Sequence, residues 1–247
     1  MWTPEIMLIV GAVFLLAGLV KGLVGLGLPT ISLALLTASL GLKEAMALML
    51  VPAFATNLWQ ALAGRDTVAV ARRLGPMLML SCVGIWFAVG VLARSDAVLL
   101  SGLFGILLCI YCMFGLTTPQ IPSPGPRERW LSPAFGLISG FSAGLTGSFV
   151  VPGALYLQAL GMPRDMLIQA MGMTFTVASL ALAISLGGHD LLPADLGALS
   201  IGALVPSFLG MALGQKVRRR LPEALFRRVF FVALLALGLY IAARAFL

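Results

Sequence analysis

The residues able to do chemistry in this chain are few, and most gather around two glycine-rich stretches. Lys21 is the one charge set deep inside an apolar run, Leu19-Val20-Lys21-Gly22-Leu23-Val24-Gly25. Beside it, Gly25-Leu26-Gly27-Leu28-Pro29-Thr30 puts glycines where a helix can unwind and a proline where a new one can begin. Further along, Gly144-Leu145-Thr146-Gly147-Ser148-Phe149-Val150-Val151-Pro152 repeats that order and adds hydroxyls. A helix restarting at mid-depth presents unbonded N–H groups and a partial positive end, which suits an oxyanion. Lys21 would supply an ammonium there; its other reading is a lysine reaching from a span end to the surface. Gly18, Gly22, Gly136, Gly140 and Gly144 also fit small-xxx-small stripes for close helix packing.

Uncharged donors lie in two other segments. Thr56, Asn57 and Gln60 share one side of a helix, and Gln169, Thr174, Thr176 and Ser179 form a second set, with Gln169 and Thr176 on one face two turns apart. Such groups suit the oxygens of a sulfite or sulfonate, and they serve equally as interhelical hydrogen-bond glue. Other chemistries lack their residues. All the carboxylates (Glu5, Glu44, Asp66, Asp96, Glu128, Asp165, Asp190, Asp195 and Glu223) fall in loops or at span ends. A proton relay or cation pump would keep one in the bundle interior. His189 stands in a loop, so no nucleophile–histidine–acid set assembles, and no phosphate-cradling G-x-x-x-x-G-K-[ST] motif occurs. Cys82, Cys109 and Cys112 sit inside apolar runs, where thiols act as small apolar filler. No cofactor and no metal is implied.

The elements that must position these groups are membrane spans. The chain is 60% hydrophobic and 10% charged, against about 25% charged in soluble domains. Ten apolar segments can be marked, at 6–23, 26–40, 45–63, 75–92, 97–116, 131–147, 149–161, 166–186, 195–214 and 228–246. Two of them, 26–40 and 149–161, are short enough to be half-helices, so the expectation is an all-α polytopic protein with eight to ten transmembrane segments. The net charge of +7 does not point to nucleic acid, because the basic residues occupy short joints between apolar runs. With the N-terminus outside, the inner loops collect Arg65, Arg72, Arg73, Arg127, Arg129, Arg164, Lys216, Arg218, Arg219, Arg220, Arg227 and Arg228. The outer side keeps only Lys43, Arg94 and Arg244. That bias predicts a multi-pass inner (plasma) membrane protein with both termini outside. The first residues carry no basic region or cleavage site, and read as the start of the first span.

The chain also looks written twice. Gly18, Gly22 and Gly25 recur at one constant offset as Gly140, Gly144 and Gly147, and in the same register Leu74-Gly75 matches Leu196-Gly197 and Phe104 matches Phe226. Residues 1–118 and 130–247 form two homologous transmembrane repeats, and the proline-rich stretch 119–129 is a cytoplasmic linker between them. Five segments per half would make the second copy enter from the opposite side, giving an inverted repeat with broken helices; four would make the copies parallel.

These stretches resemble the TauE/SafE sulfite-exporter family of transporters. The resemblance is carried by Gly18-Leu-Val-Lys-Gly22-Leu-Val-Gly25-Leu-Gly27-Leu-Pro29 and by the second copy from Gly140 through Gly144, Gly147 and Pro152 to Gly161-Met162-Pro163. The two-copy layout agrees over essentially the whole chain. The sequence departs from the family's glycine triplet at Leu28 and at Ser148-Phe149-Val150. The resemblance implies a permease or exporter for small sulfur-containing anions, working by alternating access around a central anion site. Its candidate substrate residues are Lys21, Gly25, Gly27, Asn57, Gln60, Thr146, Gly147, Ser148, Gln169 and Thr176. Expected partners are a small anionic substrate and the lipid bilayer, with self-association into a homo-oligomer left open. The rival reading is a non-transporting membrane scaffold or assembly subunit whose glycine stripes serve packing alone.

Overall fold

The computed structural model describes residues 3–25, 27–117, 122–217 and 223–246, the last of these with side chains from 228 onward. Leu26 of the first break, residues 118–121 of the linker and the inner basic cluster Arg218, Arg219 and Arg220 lie outside the described residues, as does the Arg227 side chain. Among the described residues there is no strand. The helices are α1 (Pro4–Val24), α2 (Leu28–Ser39), α3 (Leu42–Leu62), α4 (Thr67–Arg94), α5 (Ala97–Thr117), α6 (Glu128–Thr146), α7 (Leu155–Ala159), α8 (Arg164–Gly188), α9 (Ala194–Gly202), α10 (Leu204–Val217) and α11 (Glu223–Phe246). A π-helical turn, Val150–Ala154, leads into α7.

Local sequence explains where these helices start and stop. The Thr3 hydroxyl accepts the Ile6 N–H at 3.4 Å, Pro4 takes the first turn where no donor is needed, and Glu5 faces the positive helix end. The expected segment 195–214 is divided into α9 and α10 after Gly202. Pro206 has no N–H to give the Gly202 carbonyl, so the ladder is interrupted there.

Among the described residues, seven helical stretches are long and apolar enough to cross a membrane: Pro4–Val24, Leu42–Leu62, Thr67–Arg94, Ala97–Thr117, Arg164–Gly188, Ala194–Val217 and Arg228–Phe246. Leu28–Ser39 and Val150–Ala159 are apolar but short, as expected from 26–40 and 149–161. The expected span 131–147 corresponds to α6, which has 19 residues but falls below the others in apolarity. Its glycines and serines lower its hydropathy, and they do so because they face protein. The chain is a multi-pass, all-helical membrane protein.

Two compact units emerge, and each draws on both sequence halves. The first comprises Met1–Pro52, Asp96–Thr118 and Leu192–Leu247; the second comprises Ala53–Ser95 and Pro119–Leu191. In the first unit α1 packs along α10, α5 packs along α11, and α2 rests on both α1 and α11. A Cβ on Gly18 would meet the Ser207 carbonyl, and one on Gly22 the Met211 carbonyl. From the other side, Gly210 and Gly214 lie against the Leu15 and Leu19 carbonyls. In the second unit α4 packs along α6 and α8. There Gly136, Gly140 and Gly144 approach the Met77, Ser81 and Ile85 carbonyls, and Gly84 the Leu137 carbonyl.

The two crossings are the same crossing made twice. Gly18 and Gly22 of α1 match Gly140 and Gly144 of α6, and Gly84 of α4 occupies the place that Gly210 has in α10. Small residues let the backbones approach closely where no hydrophobic force separates protein from lipid. The packing reading of these glycines therefore holds, and it leaves the Gly-to-Pro breaks to be explained separately.

Candidate functional site

The breaks follow from backbone chemistry. In the first unit, α1 ends at Gly25, whose φ of 86° lies in the left-handed region and whose N–H returns to the Lys21 carbonyl at 2.7 Å. Gly27, at φ 108°, caps α2, and Pro29 occupies the first turn. In the second unit α6 ends at Gly147 with φ 73°, and its N–H returns to the Ala143 carbonyl at 2.7 Å. Gly25 and Gly147 stand at the constant offset noted in the sequence, as do Lys21 and Ala143. A side chain at either left-handed position would cost roughly 1–2 kcal/mol, so glycine is required for the same reason in both copies.

Beyond that point the copies differ. After Gly27 the chain enters α2 directly, and the Ile31 N–H bonds the Gly27 carbonyl at 2.9 Å. The first N–H groups of α2 have no partner within the helix, and Pro29 contributes none. In the second copy the Val151–Pro152 peptide is cis and Val151 is extended (φ −115°, ψ 123°) before the helical turn closes. Thr146 ties this turn together, donating to the Ser142 carbonyl at 2.8 Å and accepting the Ser148 N–H at 3.3 Å. The Ser142 hydroxyl donates in turn to the Ser148 carbonyl at 3.4 Å. The Phe149 ring packs edge-on to Phe175, and Gly153 leaves room for it.

Lys21 lies in the last turn of α1, one turn before the break, and is 3% exposed. It is covered by protein rather than extended to a surface. Lysine at the centre of a membrane helix costs about 2.5–3.5 kcal/mol on insertion scales, so a covered one needs a reason.

The remaining candidates belong to the second unit, apart from Lys21, Gly25 and Gly27. Thr146, Gly147 and Ser148 sit together in the break. Asn57 is buried in α3, and Gln60, one turn on, donates to the Ile168 carbonyl of α8 at 2.7 Å. Gln169 is engaged on the α3–α4 joint. Its amide donates to the Ala61 carbonyl and the Thr67 hydroxyl, both at 2.9 Å, and its oxygen accepts the Asp66 N–H at 3.1 Å. Thr176 donates to the Gly172 carbonyl of its own helix at 2.7 Å. The geometry thus joins Gln60 and Gln169 at one α3–α8 contact, and places Thr146 to Ser148 in another element.

Two features carried no assigned role in the sequence reading. Ser142 precedes Thr146 by one helical turn, and that spacing was the available signal for its part in the break. Arg73 forms a two-pronged ion pair with Glu128, at 2.6 and 2.8 Å, and also donates to the Leu160 carbonyl just past α7. Close by in the chain, the Ser132 and Tyr156 hydroxyls share a hydrogen bond at 2.9 Å, and Tyr156 stacks on Phe135. These contacts hold the end of the broken segment to α6 and α4.

Comparison with known proteins gives one match. The family model for the sulfite exporter TauE/SafE covers residues 10–241, which includes both breaks and both copies of the glycine crossing. No curated protein and no solved structure matches the chain. With nearly the full length matched, the chain belongs to the TauE/SafE sulfite exporter family, a family of membrane transporters.

Proposed function

We propose that this protein carries small sulfur-containing oxyanions, such as sulfite or organosulfonates, across the cell inner membrane by alternating access, and that its glycine-broken segments present helix ends suited to such an anion. The observation that carries this reading is the duplicated break. Gly25 and Gly147 end their helices in the same left-handed conformation, with the same return hydrogen bond, and a proline-bearing helical segment restarts after each. A packing stripe alone needs no such stop. A restarting helix offers about half a positive charge at its N-terminus, and the backbone at Gly25, Gly27, Gly147 and Ser148 can approach an oxygen closely. Lys21 would add an amine donor in the first copy; Thr146 and Asn57 would supply hydrogen bonds. Gln60, Gln169 and Thr176 act in this reading through the helices they hold.

The basic-loop bias supports both termini outside, and five segments per half would make the repeat inverted. Cysteines placed at Lys43 and Arg127, in a background lacking Cys82, Cys109 and Cys112, would then be labelled from opposite sides of sealed vesicles. Transport itself is tested with purified protein in proteoliposomes, by following sulfite and methanesulfonate flux alongside thermal-shift titrations with sulfite, sulfonates and small carboxylates. A bound ligand raises the unfolding midpoint with the logarithm of its concentration over Kd. Saturable flux that falls in Lys21→Ala is expected. If none of these anions is moved and none stabilises the protein, the reading fails and the scaffold alternative stands.

A further inference from the structure

A cavity of about 300 Å³ opens at one end of the first unit, at the end of α2 opposite the glycine break. Its walls come from the end of α2, the start of α3, the start of α5 and the end of α11. Two cations line it, Lys43 and Arg244. These are two of only three basic residues on the cation-poor side of the chain, and they come from opposite ends of the sequence. A bias that strips basic residues from that side makes their convergence in one cavity informative.

Among the described residues neither cation forms an ion pair with a carboxylate, although Glu44 also lines the cavity. Arg244 donates to the Ala38 carbonyl at 3.0 Å, which satisfies the end of α2 and leaves further guanidinium donors. The starts of α3 and α5, each 21 residues long, add partial positive charge to the walls. Hydroxyls are present as well. Ser101 and Tyr240 line the cavity, and so does Thr37, which is 6% exposed with its Oγ1 buried and without a hydrogen-bond partner. The other hydroxyls of that region of α2, on Ser32 and Ser39, donate back to Leu28 and Leu35. Thr37 does not, so a buried hydroxyl beside two cations has spare hydrogen-bonding capacity. The rim is apolar and exposed at Val98, and half-exposed at Tyr240.

We propose that this cavity is a second anion site, separate from the transport segments, that takes a tetrahedral oxyanion group of the phosphate type, free or as the head group of an anionic lipid. Lys43 and Arg244 neutralise the charge, and Thr37 supplies a hydrogen bond, whereas the Ser101 hydroxyl already donates to the Ala97 carbonyl at 2.7 Å. A phospholipid would lay its chains over the Val98 rim, whereas a free anion would need only the cationic walls.

The full-length protein tests this in two arms. Native mass spectrometry compares retention of phosphatidylglycerol with phosphatidylcholine, and thermal-shift titration in zwitterionic nanodiscs uses inorganic phosphate. Phosphatidylglycerol preference identifies a lipid head group, and saturable phosphate stabilisation identifies a free anion; either supports the site. In both arms Lys43→Gln is expected to weaken binding about 5- to 10-fold. Thr37→Val is the second variant, because it removes only the unpartnered hydroxyl and keeps the volume. It is expected to weaken binding without lowering the ligand-free unfolding midpoint. The proposal is overturned if neither probe binds, or if both variants bind as tightly as the unaltered protein. Sulfite flux reports on the transport segments independently of either result.

Discussion

Replacing Gln169 with leucine separates two roles that a buried glutamine in a transporter can play. The substitution keeps approximate volume and removes three hydrogen bonds, to the Ala61 carbonyl, the Thr67 hydroxyl and the Asp66 N–H. Gln169 is 1% exposed, so water does not reach in to replace them at once. Polar contacts inside membrane proteins average about 0.6 kcal/mol each, and typical net values in proteins reach about 1.5 kcal/mol. Three such bonds therefore hold the α3–α4 joint with about 2–4 kcal/mol. Since each 1.4 kcal/mol is tenfold in an equilibrium, even the lower figure raises local opening roughly 30-fold. Amide hydrogen exchange at Asp66 and Thr67 is the direct readout, with sulfite flux measured on the same preparation. We expect exchange at these amides to accelerate by that factor while α5 and α11 keep their protection. If the amides exchange at the original rate and flux still collapses, the joint does not depend on Gln169, and the residue acts on the substrate instead.

Gly140→Ala places a methyl against the Ser81 carbonyl, and overpacking of this kind is expected to cost about 1–3 kcal/mol; Gly11→Ala, with nothing within 4 Å, should leave the unfolding midpoint unchanged. Gly147→Ala forces a side chain into φ 73°, costing about 1–2 kcal/mol, and should lower proteoliposome flux more than Gly75→Ala, whose methyl meets open space. The Arg73–Glu128 pair is 34% and 24% exposed, so a double-mutant cycle on unfolding is expected to give a coupling of only about 0.5–1 kcal/mol.

What could be read in the sequence was what depends on local chemistry. A left-handed helix end demands glycine, so Gly25, Gly27 and Gly147 marked the breaks. A proline favoured at a helix start, just after the glycines, marked α2. Apolar length marked ten segments, of which seven are long and apolar enough to span among the described residues and two are short. Helix α6 is less apolar because its glycines and serines answer to a neighbouring backbone rather than to lipid. Which polar groups meet was not legible, because Gln169 serves a joint more than a hundred residues away and nothing in its own surroundings names that partner. The extended Val151 inside the second break was likewise hidden, since its conformation departs from the first copy despite the shared glycine and proline. The convergence of Thr37 with Arg244 was not legible because they lie on helices about two hundred residues apart in the chain.

The division of the chain among its two units sets an order on assembly. The second unit runs from Ala53 to Leu191 with one interruption, so all of its helices exist before the last three are made. The first unit cannot close until α10 and α11 have emerged, because α1 needs α10 and α5 needs α11. Span α1, made before the second unit, thus finds its partner only after that unit is complete. During that interval the glycine faces of α1 and the charge of Lys21 must wait in the membrane, or in the insertion machinery, without the surface that will cover them. A chain truncated before Leu204 and released would therefore leave the second unit protected from proteolysis and α1 exposed to it.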